Sequence, residues 1–174
     1  MSKDKTHVKR QDSTYISVLI LDSLNSEPQV PCYFIFGDSI VDNDNNNDLV
    51  TQAKANYPPY GVDFPGGIAT GRFSNGETSA DFLGKLLGFA DYTPPFATAR
   101  GSEILKGVNY GSGGAGILAD TGRNLGGQIR LDLQLLNHGI SVSRIIGLQW
   151  NITFSKEYLS LSKCIYTVNM GSYD

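Results

Sequence analysis

Side chains that could activate a nucleophile are nearly missing from this chain, which holds two histidines, His7 and His138. Cysteine is as rare, with Cys32 and Cys164 alone, so the sequence encodes neither a disulfide framework nor a zinc ligand set. No apolar run approaches the roughly 20 residues a membrane-spanning helix needs. Basic residues are few as well: of 14, against 17 acidic ones, four fall within residues 1–10. The remainder is acidic, which argues against a nucleic-acid partner and does not favour anionic membranes.

What is present fits one globular α/β domain, since 174 residues can bury a core and 20 Gly with 7 Pro imply many turns. Residues 3–24 have a basic start and an apolar run at 15–21 cut short by Asp22. This is either a degenerate secretion signal, at the lower limit of the usual roughly 7 to 15 apolar residues, or an unstructured tail. Residues 1–29 are therefore set apart from a domain at 30–174. Asn151-Ile152-Thr153 is a glycosylation sequon, a pattern compatible with secretion.

The domain is organised around residues 31–48, PCYFIFGDSIVDNDNNND. The apolar run 32–36 reads as a buried strand, and Gly37 permits a sharp turn after it. Ser39 then stands at a strand's carboxyl end, where α/β sheets collect ligands and chemistry. The Asp and Asn residues that follow are expected to bond their own backbone in turns.

Further on, residues 62–76 form a long Gly-rich loop. Ala80, Leu83 and Leu87 mark a helical face, with Ser74 or Asn75 as cap and Gly88 as stop. Residues 106–110 read as a second strand, running into the glycine cluster 111–116. Ile129, Leu133 and Leu136 mark a second helix ending near His138-Gly139, another short helix is expected at 156–161, and residues 163–170 form a third strand. Strands separated by helices favour a parallel sheet.

Three motifs fail on context. Residues 111–116 match G-x-G-x-x-G, but the helix that must open a dinucleotide site is prevented by Gly122, Gly126 and Gly127. A phosphate loop at 66–72 lacks its Lys. A calcium loop beginning at Asp42 has Asn47 and Ala53 where it needs Gly and a carboxylate. No cofactor or metal is implied.

From residue 30 to the end, the chain resembles the N-terminal part of plant GDSL-type esterase/lipases of the SGNH hydrolase superfamily. Gly37-Asp38-Ser39-Ile40, Tyr57-Pro58-Pro59-Tyr60-Gly61, the block Thr70 through Gly76 and Gly107-Val108-Asn109-Tyr110 carry the likeness. The resemblance implies a three-layer α/β/α sandwich on a parallel, flavodoxin-like sheet ordered 2-1-3-4-5, of which three strands are encoded here. It implies an acyl or acetyl ester as substrate and a secreted location. It makes Ser39 the nucleophile and Gly113 an oxyanion donor, with Gly114 as the alternative, while Asp38 positions the turn.

Two departures follow from the same comparison. Tyr173 stands where the family has an oxyanion Asn, and the family's Asp-x-x-His base pair lies downstream of that third block, whereas the sequence ends at Asp174. The expectation is a truncated, weakly active or inactive serine ester hydrolase. The alternative is a non-catalytic secreted protein that retains the ester cleft. His138, near a helix end, reads as structural, and His7 as a tail residue. The strand at 163–170 would expose an apolar edge open to self-association, and Cys32 and Cys164, at the starts of adjacent strands, read as two buried thiols.

Overall fold

The computed structural model describes residues 27–148 and 161–172. The apolar run 15–21, His7, the sequon at Asn151, all but the last residue of the helix expected at 156–161, and Tyr173 lie outside the described residues.

Strand β1, Tyr33–Gly37, is buried throughout. Its alternating side chains feed two apolar clusters. Tyr33 and Ile35 pack with Val41, Ala80, Leu87 and Phe89, whereas Phe34 and Phe36 pack with Val108, Tyr110 and Ile145. Apolar residues on both faces are what a strand covered on both sides requires. Strand β2, Ile165–Asn169, pairs parallel to β1 from Tyr33↔Ile165 to Gly37↔Asn169. Along the other edge of β1, Ile35 N donates to Val108 O at 3.1 Å and Tyr110 N donates to Ile35 O at 2.7 Å. The expected second strand thus occupies its expected place but is shorter. Residues Gly101–Lys106 wind into a 3₁₀ helix, and Gly107, at φ 124°, redirects the chain. A Cβ on Gly107 would meet Tyr33 O at 1.9 Å, so glycine permits the close approach. The described residues therefore show an α/β arrangement around a two-stranded parallel sheet with a third extended segment beside it.

Helix α1, Ser79–Leu86, buries Ala80, and Leu87 just beyond it. Its cap is Thr78 rather than Ser74 or Asn75. Thr78 Oγ1 accepts from Asp81 N at 3.2 Å and Asp81 Oδ2 accepts from Thr78 N at 2.8 Å, a reciprocal capping box. Ser74 Oγ instead accepts from Gly76 N inside the preceding loop.

Helix α2, Leu131–Leu148, runs well past His138-Gly139. A glycine inside a helix costs about 1 kcal/mol, which the burial of Ser141 and Ile145 further along offsets. The buried stripe is Gln134, Ser141 and Ile145, with half-buried His138 between them. Leu133 and Leu136, expected to face inward, are 38% and 64% exposed. Periodicity pointed to the leucines because it cannot register a buried amide held by backbone.

Cys32 and Cys164 form a disulfide, with Cα atoms 4.7 Å apart, and are not the two thiols expected. They precede the first paired residues of β1 and β2, and Ile165 N donates to Cys32 O at 3.0 Å. That pairing brings the two Cα atoms within bridging range.

Candidate functional site

The site begins where β1 ends. Asp38, fully buried, donates its N–H to Asn169 O at 2.9 Å, and its carbonyl accepts from Val41 N and Asp42 N. Its carboxylate accepts from Ile40 N at 3.0 Å and from Ser172 N at 3.1 Å. Both carboxylate oxygens of Asp38 thus hold the turn against the end of β2. Ser39, on that turn, is partly exposed.

Gln134 fixes the same strand end from α2. Its Oε1 accepts from Gly37 N at 3.0 Å, and its Nε2 donates to Gly37 O at 2.8 Å and to Ile129 O at 2.8 Å. A single amide satisfies both backbone groups of the residue at which the ladder stops, and nothing in the helical pattern marks it. Gln134→Leu is expected to leave Gly37 N unpaired, while Gly37 O keeps Ser112 N at 3.1 Å, and to lower stability by about 1–3 kcal/mol, read by urea unfolding. An unchanged midpoint would contradict the clamp.

The glycine cluster is tied to the Ser39 turn by the Asp/Asn field. Asp42 does bond its own turn, accepting from Asp44 N and Asn45 N. The asparagines reach much further than expected. Asn45 Nδ2 donates to Asn109 O and Gly111 O, and its Oδ1 accepts from Ala97 N. Asn46 Nδ2 donates to Ala53 O and Gly113 O, while its Oδ1 accepts from Ser112 Oγ at 2.6 Å. Such amides, able to give and accept at once, replace the ladder bonds these loops lack.

Gly113 does not sit as an open donor. Its N–H is directed to Asp42 Oδ2 at 2.8 Å, both groups being buried. The next amide, that of Gly114 at φ 81°, has no partner among the described residues.

Burial raises the Asp42 carboxyl to about 7, outweighing the amides of Gly113, Asp44 and Asn45, which pull it down. The neutral acid is therefore the form the fold favours. Stability from this group is full below about pH 4, the ordinary carboxylate range, and is lost as pH rises through about 7. The unfolding midpoint is expected to fall across that window, and Asp42→Asn, which cannot ionise, to flatten this component.

His138 belongs to the core. Its Nδ1 lies 3.2 Å from the Tyr110 hydroxyl, its ring meets Phe34, Phe36 and Tyr166 edge-on, and burial lowers its pKa.

A further buried device, not anticipated from the sequence, joins the Gly-rich loop to α1. Arg72 Nε and Nη2 donate to the two oxygens of Asp81 at 2.8 and 3.0 Å, and Nη1 donates to Thr70 Oγ1. Its guanidinium lies 4.3 Å above the Phe64 ring. The T-x-x-D spacing at Thr78 and Asp81 was the available signal.

The sequence profile of the GDSL-like lipase/acylhydrolase family matches residues 33–174. The chain belongs to this family. It is 51% identical over 159 residues to "GDSL esterase/lipase At5g45670" of Arabidopsis thaliana, covering 91% of this chain and 43% of that protein. Two others from the same plant, "GDSL esterase/lipase At4g18970" and "GDSL esterase/lipase At1g29670", are 51% and 49% identical over 85% and 86% of the chain. This GDSL-family chain thus spans roughly two fifths of these relatives, 40% of each of the last two. No solved structure matches it.

Proposed function

We propose that this GDSL-family chain carries the nucleophile portion of a serine ester hydrolase acting on acyl or acetyl esters. The supporting observation is the Ser39 turn, anchored by Asp38 and Gln134 and laced through Asp42 and Asn46 to a glycine segment with an unpartnered amide at Gly114. In this reading Ser39 Oγ bonds to the ester carbonyl carbon as its proton passes to a base. The amides of Ser39 and Gly114 hold the developing oxyanion, Gly114 rather than Gly113, whose N–H is already given to Asp42. Collapse expels the alcohol, and water then releases the acid.

His138 lies in the core with its Nδ1 3.2 Å from the Tyr110 hydroxyl, and burial lowers its pKa, so it is not placed to serve Ser39. Without a base Ser39 remains a weak nucleophile, so in this reading turnover requires a base that His138 does not provide. A chimera joining it to the remaining portion of one of the Arabidopsis relatives is expected to hydrolyse a short-chain nitrophenyl ester and to lose this with Ser39→Ala. A folded chimera without Ser39-dependent turnover would sink the reading. Within the chimera, Tyr173→Asn is expected to raise kcat about 10²–10³-fold by restoring an oxyanion donor.

A second reading, a non-catalytic binding protein using the same cleft, is supported by Tyr173, which stands at the family's oxyanion Asn position. Saturable ester binding without turnover by the chimera would favour it. Secretion belongs to the main proposal, supported by the apolar run 15–21 and by the Cys32–Cys164 bond, since disulfides persist in oxidising compartments. Self-association along β2 is also proposed, supported by the exposed Tyr166 and Val168. Among the described residues no helix is long and apolar enough to cross a membrane.

A further inference from the structure

At the end of α2 remote from Ser39 lies a pocket of about 240 Å³ lined by Arg100, Gly101, Ile104, Arg144, Gly147 and Leu148. Gln134, in the first turn of α2, holds Gly37, and His138 packs on Phe34 and Phe36, so the helix runs back along β1 away from the Ser39 turn. Arg144 stands about 15 Å further along the helix axis than Gln134, at 1.5 Å per residue. The pocket is therefore separate from the site already described.

Its lining is mostly apolar, and both of its charges are positive. Leu148 is exposed and Ile104 closes the base, while the arginines add their methylene stems. Backbone holds the Arg100 guanidinium in place, Nη1 donating to Ala99 O at 2.6 Å and Nη2 to Ala97 O at 3.0 Å. The Arg144 guanidinium lies 5.6 Å from the Phe96 ring centroid, a contact that uses its face and leaves its edge N–H groups to donate. Neither arginine forms an ion pair among the described residues. Glu103, close by in sequence, accepts from the Arg100 backbone N–H and lines a different pocket. Gly147 keeps the entrance open: no neighbouring atom lies within 4 Å of where its Cβ would stand, so no close packing requires a glycine at this helical position.

A cation would be repelled by both guanidiniums. Inorganic phosphate would pair with them but leave the apolar wall bare, and a neutral alcohol would cover the wall but leave the charge unused. An aliphatic carboxylate does both, since its head accepts charge-assisted hydrogen bonds and its chain covers carbon. We propose that this pocket binds a medium-chain aliphatic carboxylate, its head toward Arg144 and Arg100 and its chain against Leu148 and Ile104. The inference does not rest on the Ser39 reading, because binding needs neither nucleophile nor base.

Titration of the ¹⁵N-labelled chain with sodium octanoate tests it, with sodium phosphate and octan-1-ol titrated in parallel. Saturable shifts of the Gly101, Arg144, Gly147 and Leu148 amides by octanoate are the expected result, with phosphate and octanol binding at least tenfold more weakly. Arg144→Ala should weaken octanoate binding about tenfold, the worth of a hydrogen bond to a charged group. Gly147→Leu, which keeps a good helix former and fills the entrance, should abolish it. No saturable octanoate shift in the unmodified chain would overturn the proposal whether or not either variant folds. Equal binding of phosphate would reduce the pocket to a simple anion site and equal binding of octanol to an apolar groove, and either would also overturn it. So would octanoate affinity unchanged in both folded variants.

Discussion

Arg72→Ala is expected to destabilise the chain by about 3–5 kcal/mol, the range for removing one partner of a buried ion pair. The Arg72 and Asp81 side chains are only 7% and 5% exposed. Without the guanidinium, Asp81 would keep its two contacts to Thr78, its backbone N–H and hydroxyl, and would remain a buried carboxylate with no counter-charge. The loss would also leave Phe64 without the cation stacked on it. Urea unfolding of Arg72→Ala, Asp81→Asn and the double variant measures the coupling. Asparagine can still cap Thr78 without carrying charge, so the double variant should lose clearly less than the sum of the singles. Additive losses would refute the pairing as the cause.

The pair also fixes an acid limit. Burial raises the Asp81 pKa, but the Arg72 and Thr78 contacts outweigh it and hold the group below its ordinary value. Its stabilisation is therefore present above the ordinary carboxylate range and is lost as pH falls through the lower folded value. Asp42 acts in the opposite direction above about pH 4, so the two buried carboxylates bracket the stability profile from either side.

Reduction of Cys32–Cys164 is expected to cost roughly 4–5 kcal/mol. The estimate follows from the loop closed by a bond between residues 132 apart in sequence. Unfolding midpoints with and without reductant, and in Cys32→Ala/Cys164→Ala, supply the measurement. Intact mass under non-reducing conditions must first show the bond. Equal midpoints would mean that β1 and β2 hold together without the covalent link.

The difference between what was and was not readable in the sequence follows from the kind of interaction involved. β1, β2 and the face of α1 announced themselves through apolar residues at strand and helix periods. So did the place of Ser39, because Gly37 and Asp38 are turn residues of recognisable type. Gln134, Asn45, Asn46 and Arg72 were missed because each is a polar residue buried by partners distant in sequence, and polarity reads locally as exposure. The extent of α2 was misjudged for a related reason: Gly139 looked like a terminus, while the burial that carries the helix onward comes from packing with Ala99, Ile104 and the β1 phenylalanines. Pairing of Cys32 with Cys164 depended on a distance that only the β1–β2 register supplies.

The long reach of the asparagine contacts bears on the order in which the molecule assembles. The turn holding Ser39 is closed by Asn109, Gly113, Gln134 and Ser172, all emerging much later in synthesis. Contacts so widely separated delay folding, because loop-closure entropy must be met before they form. During vectorial synthesis β1 leaves the ribosome early with its apolar side chains unmatched, and the Ser39 turn takes shape only when the residues after β2 have emerged. The site should therefore be among the last parts of this chain to become ordered, and the nascent apolar strand the segment most in need of chaperone cover.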